Sequence, residues 1–424
     1  MRYAIIGCGS RHRMFRDALC GPYADRHALV ALCDSNPKRL ALSAQEAGRP
    51  VATWPASGFA EMIAGARPDV VIVATPDHTH ADYVTAALEA GCDVICEKPL
   101  ATNADELQRI LAAQARTGRQ VTVTFNYRYS PARTQLREII AAGTIGRVTA
   151  VDFRWHLDRV HGADYFRRWH RQKANSGGLL VHKASHHFDL LNWWLGARPA
   201  RVSASASRAF YTPETAVGLG LAAHGPRCAE CRLLGDCDFA LVMDDDPNLR
   251  RLYREAEAED GYHRDLCVFD EEIGIEDTFQ AHIRFETGAT ANYTLYAYAP
   301  WEGLEVTFIG TKGELTHRHV EVHGIFGGTR PPGEEEAMTT TLHLAGEAPR
   351  AVRIPEGTGD HGGADPLMLE DLFGDRAEDG FGRASDHRGG AWAILTGIAA
   401  NASALSGMPA DPAAMIPGDL LRAG

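Results

Sequence analysis

RYAIIGCGSRH, residues 2–12, is a β-rich apolar run that breaks into two glycines spaced one residue apart. Strand-forming residues followed at once by Gly-x-Gly describe a strand entering a tight turn, where bare backbone amides can meet a pyrophosphate. Further apolar runs follow at regular intervals: LVALCD (29–34), DVVIVATP (69–76), CDVICEKP (92–99) and QVTVTFNYR (120–128). Helix-like stretches such as HADYVTAALEAG (80–91) and NADELQRILAAQARTG (103–118) lie between them. This alternation predicts an α/β domain with a doubly wound parallel sheet, a Rossmann arrangement whose ligand sits at the carboxyl ends of the strands. Asp34 ends the second run, where a carboxylate can hydrogen-bond an adenosine ribose, which favours NAD over NADP. Lys38 and Arg39 just beyond it keep a 2′-phosphate open, and His12 stands where a third glycine would allow close helix packing.

The 424 residues, 45% hydrophobic, are too many for one ordinary core and predict two or three domains. A formal charge of −12 argues against general nucleic-acid or anionic-membrane binding. No leader-like segment or long apolar span is present, so a cytoplasmic enzyme is expected. Nine cysteines is an odd number, and scattered Cys8, Cys20, Cys33, Cys92 and Cys96 read as reduced thiols.

Beyond residue 150 the pattern becomes one of alternating strands with turn glycines, as in RVTAVDFRWHL, ARVSASASRAF and LEVTFIGTKGELTHR. The expectation is an α+β domain with an open, mostly antiparallel sheet. The predicted division is 1–125 for the dinucleotide domain and 126–424 for the second, with a Cys-rich insertion at about 224–268. Within it, Cys228, Cys231 and Cys237 in RCAECRLLGDC and Cys267 in RDLCVF fit a structural zinc site pinning an acidic loop. An iron–sulfur cluster and free thiols are the alternatives, and His224 and His263 are replacement ligands. GTRPPGEEEAMTT (328–340) reads as an exposed linker or hairpin loop.

SGGLLVHKASHHFDLLNWWLG, residues 176–196, carries the densest chemistry. At helical spacing His182, His186 and Asp189 share one polar stripe, which needs a metal, a substrate or water opposite it. Catalytic metal is disfavoured, because the glutamate of H-E-x-x-H is missing and Lys183 would repel a cation.

The chain resembles the Gfo/Idh/MocA family of sugar and cyclitol oxidoreductases. The resemblance runs through GCGSRHR, ATPDHTHADYVTAALEAGCDVICEKPL, FNYRYSP, GTIGRV and GGLLVHKASHHFDLLNWWLG, covering most of residues 1–200. It implies that Lys98 and His186 carry the chemistry, joined by His182, which stands where the common pattern has Asp, and by Lys183. It places NAD against Gly7, Gly9, Ser10, Arg11, Asp34, Thr75, Pro76, His80, Glu97, Lys98 and Asn126. Substrate contacts fall on Tyr127, His170, Arg171, His182, Lys183, His187 and His361, although His187 reads equally as a core histidine.

The function this implies is hydride transfer between nicotinamide and a secondary hydroxyl of a sugar, glycoside or cyclitol, by a homo-oligomer (dimer or tetramer). His186 would be the general base and Lys98 the group that polarises the oxygen, or the two roles reversed. A redox-assisted glycoside hydrolase retaining its NAD is the alternative, and a nucleotide sensor is disfavoured by intact Lys98 and His186.

Overall fold

The computed structural model describes residues 1–321, 335–357, 360–375 and 379–421. Six parallel strands are built from the apolar runs: β1 (Arg2–Ile6), β2 (Ala28–Asp34), β3 (Ala52–Pro55), β4 (Val70–Val73), β5 (Asp93–Cys96) and β6 (Val121–Val123). They lie in the order β3-β2-β1-β4-β5-β6, which reverses direction of growth at β1 and opens a crevice beside that strand's carboxyl end. Gly7 makes the crevice: its φ is +94°, and a Cβ there would stand 2.6 Å from the Ala74 carbonyl carbon and oxygen. Only glycine lets the turn after β1 close against the turn after β4.

The second sheet comprises β7 (Val148–Asp158), β8 (Pro199–Ser207), β9 (Thr278–Phe285), β10 (Thr290–Ala299), β11 (Gly303–Gly310), β12 (Gly313–Val320), β13 (Ala337–Leu344) and β14 (Arg350–Ala351). Its order is β14-β13-β12-β11-β7-β10-β9-β8, and every pairing is antiparallel except β7 with β10. The alternating burial of β9 and β10 shows one face turned to the core, as the sequence pattern requires. Of the expected 328–340 loop, residues 328–334 lie outside the described residues, and residues 337–340 belong to β13.

The two domains are not separated by one cut in the chain. A seventh strand, β15 (Ser385–Asp386), pairs antiparallel with β6, so the far end of the sequence completes the first sheet. The helix His387–Ser406 then runs along the seam, placing Trp392, Ile394 and Leu395 in the first core and Ala399 and Ala400 in the second.

Gly177 and Gly178, with φ of +69° and +75°, turn the chain sharply into the segment Leu179–His182 and the helix Ala184–Leu195. A Cβ on Gly177 would sit 2.7 Å from the Thr102 carbonyl, so this turn sits directly against the Rossmann domain. The helix buries Phe188, Leu190, Leu191 and Trp194 in the second core. Its expected polar stripe is divided among different partners. Asp189 faces neither metal nor substrate: Arg128 donates to both of its carboxylate oxygens, at 2.7 and 2.5 Å, and to the Gly382 carbonyl at 3.1 Å.

Both members of this pair are almost wholly buried, so removing one strands the other's charge in an apolar seam. Asp189→Ala is expected to lower the unfolding free energy by about 3–5 kcal/mol, and Arg128→Leu/Asp189→Leu to recover most of that loss. Urea denaturation of the three chains measures both effects.

Candidate active site

Lys98 leaves the carboxyl end of β5 at a cis Lys98–Pro99 bond and enters the seam between the domains. Its Nζ lies 3.3 Å from His182 Nε2 and 3.3 Å from the His182 carbonyl oxygen. The other ring nitrogen, His182 Nδ1, is 2.5 Å from Asp77 Oδ2, in the turn that follows β4. Asp77, His182 and Lys98 therefore form one continuous chain of polar contacts from the Rossmann strands through the segment Leu179–His182 and back.

Burial governs the chemistry of this chain. It pushes the Lys98 ammonium down to about 8, against the opposing pull of Asp77 and Glu97. It pushes the Asp77 carboxyl well up, and it pushes His182 well down, with Lys98 adding to the fall. Two arrangements of the same protons satisfy the contacts. In one, the Asp77 carboxylate accepts from His182 Nδ1–H while the Lys98 ammonium donates to Nε2. In the other, protonated Asp77 donates to Nδ1 and Nε2–H donates to an uncharged Lys98 amine. Both arrangements are electrically neutral overall, so moving between them requires no additional buried charge.

Around this chain stand the other residues singled out in the sequence. His170 stacks on Trp169 and turns its ring edge-on to His182, with centroids 4.3 Å apart. His186, one turn beyond His182, stacks on Tyr127 at 4.6 Å and meets Phe125 edge-on at 5.8 Å. Lys183 Nζ lies 4.5 Å from the centre of the Trp155 ring and 3.8 Å from Glu302, and burial depresses its pKa. Tyr127 donates its hydroxyl proton to Glu321 at 3.1 Å.

Several expected contacts are instead taken up by the protein itself. His187 Nδ1 is 2.8 Å from the Tyr293 hydroxyl and its ring stacks on Trp155, which makes it part of the second core. Arg171 pairs with Asp270 at 3.0 Å, since the segment after β8 folds back over it. The ring nitrogens of His80 lie 2.8 and 2.9 Å from the carbonyls of Pro99 and Thr75, bracing the turn that carries Lys98 rather than projecting to a ligand. The side chain of His361 lies outside the described residues. Asp77 and Glu302 were not singled out from sequence; Asp77's position directly after the third apolar run was the available signal.

The dinucleotide crevice fits its expected occupant. A Cβ on Gly9 would meet no atom within 4 Å, so the loop between β1 and the helix Arg13–Cys20 presents an open face there. His12, in place of a third glycine, is buried and packs with Nε2 2.6 Å from Ser43 Oγ; burial lowers it to about 4, keeping it neutral beside the loop. Asp34 accepts from the Cys8 amide at 2.5 Å and the Asn36 amide at 2.6 Å. On the opposite side, Asn126 donates to Asp365 at 2.6 Å, while its buried Oδ1 has no partner among the described residues. Arg11, rather than standing open, bridges Glu97 at 2.8 Å and Asp365 at 3.5 Å. Ser10, Thr75, Pro76 and Glu97 lie in the turns that border this crevice.

A model described as "Oxidoreductase family, NAD-binding Rossmann fold" matches residues 1–125, and one described as "Oxidoreductase family, C-terminal alpha/beta domain" matches residues 137–411. The chain belongs to the Gfo/Idh/MocA oxidoreductase family. It is 37% identical to the oxidoreductase YteT of Bacillus subtilis over 387 residues, 87% of this chain and 88% of that one. Partial matches include inositol 2-dehydrogenase of Rhizobium meliloti, 30% identical over 49% of this chain and 58% of that one, and D-glucoside 3-dehydrogenase of Escherichia coli, 29% identical over 46% and 54%. Among solved structures, the WlbA dehydrogenase of Bordetella pertussis, in complex with NADH and UDP-GlcNAcA, shares the fold with a TM-score of 0.65 at 20% identity over 97% of this chain and 98% of that one.

The expected zinc site is not found among the described residues. Cys228, Cys231, Cys237 and Cys267 line one small cavity with Leu221, Leu233, Phe239 and Val268. Nevertheless no group of three or more His, Cys, Asp or Glu is placed to hold a metal ion among the described residues. Apolar surroundings favour the protonated thiol, and burial pushes Cys267 up to about 11. No helix among the described residues is long and apolar enough to cross a membrane.

Lys98 also leaves a signature in stability. An unfolded lysine keeps its proton to about 10.5, whereas folded Lys98 keeps it only to about 8. Between those values the unfolded chain binds the extra proton, so this residue makes stability rise with pH. Chemical denaturation of the unmodified chain minus Lys98→Met, measured from pH 7 to 10.5, should show that rise above pH 8 and no contribution of this kind below it.

Proposed function

We propose that this protein is an NAD-dependent oxidoreductase acting on a secondary hydroxyl of a sugar, glycoside or cyclitol. The observation that carries the proposal is the Asp77–His182–Lys98 chain, which reaches the seam beside the dinucleotide crevice. The names of the inositol and glucoside dehydrogenases among the relatives support the substrate class. The dinucleotide, when bound, supplies the acceptor for a hydride from the carbon that bears the hydroxyl.

Once the chain has lost one proton, near pH 8, Asp77 is a carboxylate accepting from His182 Nδ1–H and Lys98 is uncharged; Lys98 then takes the hydroxyl proton as the carbonyl forms. The ammonium so produced donates to His182 Nε2, and its charge is balanced across the ring by the Asp77 carboxylate. His186, fixed by its stack on Tyr127, donates to or accepts from the same hydroxyl. Asn126, with its unpartnered Oδ1, would help hold the nicotinamide end of the cofactor. Lys183, with Glu302 beside it, recognises neighbouring hydroxyls. The reaction takes place in the cytoplasm, and the chain works as a homo-oligomer.

A second reading is favoured by the extensive docking of residues 246–260 on the loop after Asp34. In a redox-assisted glycoside hydrolase, oxidation at C3 acidifies the C2 hydrogen. Loss of that proton expels the aglycone, water adds at C1, and the hydride and proton are returned. Incubation of NAD and enzyme with a set of glycosides and cyclitols distinguishes the readings. NADH formation, free or bound to the enzyme, without aglycone release supports the dehydrogenase; aglycone release with C2 hydrogen exchange and no net NADH supports the hydrolase; neither signal with any substrate overturns both.

On the substrate so found, Lys98→Ala and His186→Ala should each lower turnover by about two orders of magnitude or more while NADH affinity is retained. Because the Asp77 charge raises the Lys98 pKa, Asp77→Asn should move the limb of the kcat/KM profile near pH 8 to lower pH. A limb unmoved by that substitution argues against the relay.

A further inference from the structure

The Cys-rich insertion is an arm that crosses from one domain to the other. Its base is closed by an antiparallel bridge between Arg227 and Leu266, where the Cys228 amide donates to the Asp265 carbonyl at 2.8 Å. Arg264, fully buried, roots it in the second domain by donating to both carboxylate oxygens of Asp164, at 2.5 and 2.9 Å. The far end rests on the Rossmann domain, on the turn and helix that follow Asp34. Asn36 donates to the Ala256 carbonyl at 2.9 Å, and Lys38 Nζ donates to the Glu255 carbonyl at 2.8 Å with Glu259 at 3.4 Å. Arg39 pairs with Asp260, and Arg251 donates to Glu46 at 2.8 Å. Leu249, Leu252 and Ala256 are buried within the arm's tip.

Two properties of the cofactor site follow from this docking. Lys38 and Arg39 are the cations that would welcome a 2′-phosphate, and the arm's carboxylates already neutralise them. An added dianionic phosphate would face Asp34, Glu259 and Asp260 together. The loop that presents Asp34 is also immobilised: the same Asn36 that donates its side-chain N–H to the arm donates its backbone N–H to Asp34. At the other end of the crevice, Arg11 and Asn126 meet Asp365, whose helix Asp360–Phe373 follows the second sheet in the chain. Domain opening, the ordinary route of dinucleotide release, has to break contacts at both ends.

We propose that the arm is a clasp on the adenosine end of the dinucleotide site, which excludes NADP and keeps NAD on the protein from one turnover to the next. The proposal rests on the NAD-dependent reading above.

The full chain purified without added cofactor should release about one NAD(H) per chain on denaturation. Displacement of NADH fluorescence by excess NAD should be slow. Glu259→Ala/Asp260→Ala, and separately Arg251→Ala, weaken the docking while leaving the Gly7–Arg11 loop and Asp34 unchanged. Each should speed NADH dissociation by about tenfold or more, and the double substitution should improve NADPH affinity relative to NADH by about tenfold. Far-UV circular dichroism should remain that of the unmodified chain. A chain that binds NADH but releases it within the mixing time, or at a rate the substitutions do not alter, overturns the clasp alone. A chain that binds no NADH overturns the clasp and the NAD-dependent reading together.

Discussion

A lysine buried at a domain seam is a demanding thing to fold around. Its ammonium loses most of its hydration, and unless a counter-charge stands close the fold prefers to expel it or strip its proton. Here Lys98 enters the seam from the strand β5, meets His182 from the second domain, and is balanced through that ring by Asp77 from the first. The two domains thus share one neutral proton chain. The left-handed glycine pair before Leu179, the His80 brace beneath Pro99 and the Arg128–Asp189 anchor all serve to hold its three members in register.

This view also explains why ionisable residues are so concentrated in residues 182–189. They do not act as a single stripe. His182 completes the proton chain, His186 is laid flat on Tyr127, His187 is absorbed into the aromatic core, and Asp189 secures the helix to the loop bearing Asn126 and Tyr127. One short helix therefore distributes chemistry, packing and anchorage among successive side chains, and only the partner of each decides which task it has.

The Rossmann sheet was legible because its determinants are local: apolar runs, a Gly-x-Gly at the end of the first, and an acid at the end of the second. Lys98 and His186 are singled out by resemblance to known oxidoreductases rather than by any local pattern. What escaped the sequence depends on partners far along the chain. Asp77 acquires its role from a histidine 105 positions away, and Asp189 from an arginine 61 positions away. His80 has no pattern that distinguishes a ligand from a brace, since that depends on two carbonyls the fold brings to it. The cysteine spacing suggested tetrahedral coordination, whereas the described arrangement puts the thiols in an apolar cavity with leucine and phenylalanine. Spacing specifies which sulfurs can approach one another, and the surrounding side chains determine whether they are better kept as thiols.

The return of β15 to the first sheet has a bearing on how the protein is made. Ser385 pairs with Val123, a separation of 262 positions (385 − 123). A ribosome that has finished the glycine loop, Asp34 and Lys98 has therefore produced a cofactor domain with an open edge at β6, which stays open until nearly the whole chain has emerged. Such an edge can capture another strand during the wait. Synthesis thus places a period of vulnerability between the appearance of Lys98 and the closing of the sheet that supports it, and a chain shortened before residue 385 would retain every residue of the glycine loop while never leaving that exposed state.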